Sequence, residues 1–92
     1  MISRSVKVAN RLGLHARAAA RFVHMASRFQ SHVKVSRGSQ TMDGKSIMGI
    51  LLLAAAAGTV LTVSTDGEDE QAALAALCGF IETGFGEDTC SA

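Results

Sequence analysis

Three histidines, two cysteines and a serine beside a glycine turn are the residues of this chain with chemistry to offer. His15 has the most informative neighbours. It lies in the run Asn10-Arg11-Leu12-Gly13-Leu14-His15-Ala16-Arg17, which joins a strand pattern to a helix pattern. A helix opening just after His15 points its first free N–H groups back at the imidazole, and its dipole adds positive character there. Ala16 and Arg17 supply those amides, and the Arg17 guanidinium can add a charge-assisted hydrogen bond. Neutral imidazole is a nucleophile, and an anion it acquired would be held by the helix end with about 0.3–2 kcal/mol. That is enough to hold a phosphoryl group and too little to trap it. The plain alternative is a surface or capping histidine, although Ser, Thr, Asp and Asn cap better.

Ser46 is the second candidate. It precedes an apolar run, where an N-cap belongs. A phosphate on it would add about −1.5 to −2 charge beside Ile47 and Met48. The alternative is a cap and nothing more. Gly44-Lys45-Ser46 also imitates the end of a Walker loop, but Ser39 stands where that motif needs a glycine. No nucleophile elbow or dinucleotide fingerprint occurs. His24 reads as a helix-surface residue and His32 as a strand start. No histidine pair has helical zinc-site spacing and no acid lies close in sequence, so neither a metal nor a cofactor is expected. Cys78 falls in an apolar helical pattern and Cys90 in a polar tail, which reads as two reduced thiols.

The elements that must position His15 follow from periodicity. Ile2, Val6 and Val8 alternate with polar residues, so residues 2–8 form a strand despite Arg4 on the apolar face. Asn10 to Leu14 turn the chain. From Ala16 the spacing changes: Ala19, Phe22, Val23, Ala26 and Phe29 make an amphipathic helix of about four turns, ending near Gln30 and Ser31. His32–Arg37 and Gln40–Met42 flank Gly38-Ser39 as a hairpin, which Asp43-Gly44 breaks. Within the apolar run 47–57 a short helix is expected, with Gly58 as its stop. A helix so apolar is either fully buried or exposes a contact patch. Val60–Thr65 is the fourth strand. Asp66-Gly67 turns the chain, and Glu68, Asp69 and Glu70 open a last helix whose stripe is Leu74, Leu77, Cys78 and Ile81. Gly84 follows its end. Residues 85–92 read as a loose tail, unless Phe85 packs back.

The order is β-α-β-β-α-β-α, an α+β chain with helices over one face of a mostly antiparallel sheet. A ferredoxin-like fold shares the first six elements, and periodicity does not separate the two. Ninety-two residues with 48% apolar content suit one domain, 1–92, with its own core. Nine basic against eight acidic residues give no support to nucleic-acid binding as the main task. The longest apolar run is shorter than the roughly 20 residues a membrane span needs, and no secretory signal pattern opens the chain. A cytoplasmic monomer that does not enter the membrane is therefore expected.

Residues 10–17 resemble the active-site signature of HPr, the histidine phosphocarrier family of the bacterial phosphotransferase system. Lys45-Ser46-Ile47-Met48-Gly49 resembles the family's second signature, at the expected separation, and the likeness runs from about Ile2 to Gly84. It implies an open-faced β-sandwich with four antiparallel strands in the order 1-4-2-3 and three helices on one side. It implies that His15 takes a phosphoryl group on Nδ1 from phospho-enzyme I, itself charged by phosphoenolpyruvate, and passes it to an EIIA-type protein. Arg17 would sit by the phosphate. Ala20, Ile47, Met48 and Leu51 would form the partner face. Ser46 would match the position modified by HPr kinase/phosphorylase in bacteria that have that enzyme. Many members carry proline where this chain has Ala18; alanine keeps the helix. The Ala18–Phe22 run looks more like members that serve a regulatory, nitrogen-type branch, so signalling and sugar uptake both stand. A competing reading is a regulatory binding module that acts only through the Ser46/Ile47/Met48 surface.

Overall fold

The computed structural model of the protein describes residues 1–86. Cys90 and residues 87–92 of the expected tail lie outside the described residues. The elements are β1 (Ile2–Lys7), α1 (Ala16–Ala26), β2 (His32–Arg37), β3 (Gln40–Asp43), α2 (Ile47–Leu52), β4 (Val60–Asp66) and α3 (Glu70–Glu82). The strands form one antiparallel sheet in the order β1-β4-β2-β3, as the family resemblance implied.

Period-two burial assigns the two sheet faces. Val6, Val33, Val35, Leu61 and Val63 join one core with Phe22 of α1, Ile50 of α2 and Leu74, Leu77, Cys78 and Ile81 of α3. The other face is a hydroxyl surface, with Ser5 and Thr62, and Ser36 and Thr41, each in contact at 3.1 Å. Arg4 breaks the apolar pattern because its guanidinium reaches Glu82 at the end of α3, 3.3 Å away. Burial raises the pKa of the Cys78 thiol, so this residue behaves as a small apolar core side chain.

Three element ends depart from the sequence expectation, each through a tertiary contact. First, α1 stops at Ala26 and not near Gln30, so Phe29 is off the helix. The amides of Gln30 and Ser31 donate to the Asp69 carboxylate at 2.8 and 2.9 Å, and the Ser31 hydroxyl donates to it as well. A continuing helix would have needed those amides. Second, Asp69 is committed to that contact, so α3 begins only at Glu70, and Glu68 and Asp69 lie before it. Third, α2 stops at Leu52, six residues before Gly58. Ala54 takes a left-handed φ of 49°, and Arg37 Nη1 donates to the Leu53 carbonyl at 2.7 Å. Phe85 is not part of a loose tail: it is fully buried and stacks edge-on against Phe80 at 5.8 Å.

The Asp69 clasp has a pH signature. The Ser31 hydroxyl, then the Gln30 and Ser31 amides, hold the Asp69 pKa below its ordinary value. A lowered folded-state pKa gives stability that is full above the unfolded value, about 3.9 for aspartate, and is lost as pH falls through the folded value. The urea midpoint of Asp69→Asn is therefore expected to lie below that of the parent at pH 6. The gap should close progressively below about pH 4. A gap that widens towards acid would contradict the clasp.

Candidate functional site

The His15 corner is built by a turn whose parts hold one another. Asn10 is buried, and its Nδ2 donates to the Gly13 carbonyl at 2.7 Å. The Gly13 amide donates back to the Asn10 carbonyl at 3.2 Å. Gly13 adopts φ +70°, and a Cβ there would stand 2.5 Å from the Ala55 carbonyl oxygen. Leu14 is buried, and its amide donates to that same Ala55 oxygen at 2.8 Å. The turn is thus locked against the segment that follows α2. Composition assigned Asn10 and Gly13 only to a turn; the burial of a polar amide is what marks Asn10 out, and burial is not visible in sequence.

His15 is the N-cap of α1, with extended backbone (φ −87°, ψ 179°). The Ala19 amide donates to its carbonyl at 2.8 Å, closing the first helical turn. The amides of Ala16 and Arg17 precede that first helical bond. The Arg17 amide donates to His15 Nδ1 at 3.2 Å. The first turn of α1 carries no acid, so no carboxylate of its own offsets the positive helix end. The Arg17 side chain is exposed and joins no ion pair among the described residues. Ala18, at the site of the family's frequent proline, is buried within an intact helix.

Chemically, this is a half-exposed imidazole whose Nδ1 already faces a backbone donor, with an exposed guanidinium two residues on. His24 and His32 are exposed and have no such setting. Among the described residues, no three His, Cys, Asp or Glu side chains are grouped to hold a metal ion. None of the described helices is long and apolar enough to cross a membrane.

A family model described as the PTS HPr component phosphorylation site matches residues 2–83. The chain belongs to the HPr family. It is 48% identical over 87 residues to the phosphocarrier protein HPr of Cupriavidus necator, covering 95% of this chain and 98% of that protein. The crystal structure of HPr-C-His from Thermoanaerobacter tengcongensis is similar with a TM-score of 0.90 and 42% identity, over 96% of this chain and 99% of that one. An HPr dimer from the same organism is similar with a TM-score of 0.75 and 42% identity, over 95% and 100%. HPr proteins are phosphocarriers of the phosphotransferase system, and this chain is one of them.

The other singled-out residues lie on α2 and α1. Ser46 is the N-cap of α2, its Oγ accepting from the Gly49 amide at 3.1 Å. Ile47 and Met48 are 45% and 67% exposed, Leu51 is half-buried, and Ala20 is exposed on α1. In the turn before His15 and on α2, two large apolar side chains absent from the sequence-based set are also bare: Leu12 at 75% and Leu52 at 57%. Leu12 was hidden in a turn and Leu52 inside an all-apolar run. Of the two options for that run, α2 takes a mixture: Ile50 faces the core while Ile47, Met48 and Leu52 face solvent.

Proposed function

We propose that His15 is the phosphoryl-carrying residue, accepting the group on Nδ1 from phospho-enzyme I and passing it to an EIIA-type acceptor. The observation that carries this reading is the Arg17 amide lying 3.2 Å from Nδ1 at the mouth of α1. That distance is at the long end for an N–H donor, so the bond is cheap to give up. In the transfer, the Nδ1 lone pair forms the new bond to phosphorus. The bond from phosphorus to the donor atom breaks, and its electron pair stays with the donor. The Arg17 amide, freed from the lone pair, turns to a phosphoryl oxygen, joined by the Ala16 amide and the Arg17 guanidinium. Backward transfer reverses each step. One set of donors serves both states, which keeps the carrier poised between them.

The partner face in this reading comprises Ala20, Ile47, Met48 and Leu51, with Leu12 and Leu52 added by their exposure. One copy of the 1–92 domain suffices, because His15 and this apolar face are accessible on a single chain. Ser46 offers a regulatory input: its hydroxyl caps α2 between Lys45 and the exposed Ile47 and Met48. A phosphate placed there by a kinase of the HPr kinase/phosphorylase type would set a dianion into the docking face. The relay serves either sugar uptake or a nitrogen-type regulatory branch.

The test is incubation with phosphoenolpyruvate and enzyme I. The protein should gain one phosphate that is labile in acid and stable in alkali. No gain, or an acid-stable phosphate on serine, would favour the regulatory module working through Ser46, Ile47 and Met48 alone.

A further inference from the structure

We infer that Asn10 is a positioning residue for phosphoryl transfer, acting on His15 through the Gly13 carbonyl. The inference rests on the reading of His15 given above. The Gly13 oxygen receives two donors: Asn10 Nδ2 at 2.7 Å and the His15 backbone amide at 3.0 Å. The side chain of one residue and the backbone of the nucleophile therefore hang from a single atom. Asn10 is 1% exposed, so its amide does not exchange this contact for water and its rotamer is fixed by packing.

The Gly13 carbonyl shares a planar peptide with the Leu14 amide, and that amide donates to the Ala55 carbonyl at 2.8 Å, so one edge of the plane is already held. The Gly13 amide itself is tied to the Asn10 carbonyl, and a Cβ on Gly13 would run into Ala55 and Ala56. The donor aimed at the Gly13 carbonyl, Asn10 Nδ2, holds the opposite edge and stops the plane from turning about the Leu14–Ala55 bond. Tilting that carbonyl swings the His15 amide. His15 must keep φ −87° and ψ 179° to act as N-cap, and only that cap brings Nδ1 to the Arg17 amide. The residue type follows from this geometry. The position needs a short side chain with an N–H donor. Aspartate has the shape but presents a carboxylate to a carbonyl, and alanine leaves the Gly13 oxygen with one donor fewer.

Misplacing a reacting atom by about 1 Å costs on the order of 100-fold in rate. Asn10→Asp, which keeps the packing volume, should lower kcat for phosphorylation by enzyme I by about 10- to 100-fold. KM for the carrier should change far less, because Ile47, Met48, Leu51 and Leu52 of the docking face lie on α2, outside this turn. The imidazole Nδ1 signal in ¹⁵N NMR should move towards that of an imidazole without a donor. Asn10→Ala should do the same, and it carries the test if the aspartate variant does not fold. Val35→Ala, a core truncation in β2, is the control: it should lower thermal stability and leave both kcat and the Nδ1 signal in place. An Asn10 variant that loses stability but keeps kcat and the Nδ1 signal would overturn the inference. If the parent protein takes up no phosphate, the phosphocarrier assignment of His15 fails, and the Nδ1 signal still decides whether Asn10 holds the imidazole.

Discussion

His15→Ala is expected to take up no phosphate from phosphoenolpyruvate and enzyme I, under conditions in which the parent protein is modified fully. The expectation is total because neither of the other two histidines offers a substitute. His24 and His32 are exposed, but neither is the N-cap of a helix, and a phosphoryl group on either would have no amides to receive it. The fold should survive. His15 is only partly buried, and its backbone amide and carbonyl, which make the turn and the first helical bond, remain in alanine. Loss of the cap acceptor should cost about 0.5–2 kcal/mol, so circular dichroism should still report a folded protein. Arg17→Ala separates the two roles of that residue. It keeps the amide and removes the guanidinium, so uptake should persist at a rate lowered about tenfold, equivalent to about 1.4 kcal/mol. Mass spectrometry before and after acid treatment reads both variants. A phosphate that persists in His15→Ala would remove the basis of the assignment.

Gly13→Ala is expected to damage the fold and the site together. At φ +70° any L side chain costs about 1–2 kcal/mol. The new Cβ would also stand 2.5 Å from the Ala55 oxygen and 3.0 Å from the Ala56 α-carbon. Both are backbone atoms and cannot rotate aside, so overlap adds about 1–3 kcal/mol. Gly58→Ala is the matched control. It has φ +89° and nothing within 4 Å of an added Cβ, so it bears the conformational cost alone. Alanine restricts the unfolded chain equally at both positions, so the difference between the two variants isolates the close approach, at about 1–3 kcal/mol. Urea denaturation measures it. In Gly13→Ala, relief of the overlap must push the turn away from residues 55–56, which breaks the Leu14–Ala55 bond and shifts His15. Its phosphorylation rate should therefore fall by at least about tenfold, while Gly58→Ala should stay near the parent rate. Equal stabilities for the two variants would show that the turn does not need its contact with Ala55.

What could be read from the sequence is what depends on residues near one another in the chain. Alternation over 2–8 and 60–65, the three- and four-residue spacing from Ala16, and the stripe Leu74, Leu77, Cys78 and Ile81 place the strands and helices, because each is a local repeat seeking a buried face. The start of α1 was legible for the same reason: a glycine turn and a change of period fall within a few residues of His15. The sheet order β1-β4-β2-β3 came from the family resemblance; element order and periodicity left it open.

Tertiary structure decided where elements stop and what is exposed. The end of α1 depends on Asp69, some 40 residues further along, which takes the amides that a longer helix would have used. The end of α2 depends on Arg37 and on the left-handed turn at Ala54. The burial of Phe85 depends on Phe80 and the core beneath it. The site divides in the same way. Type and spacing single out His15, Arg17 and Ser46 as candidates. The hold on His15 runs through Asn10, Gly13 and Ala55, and the last of these meets the turn only when the chain returns after α2. A backbone carbonyl has no side-chain identity, so its part in the site becomes visible only once the chain is folded.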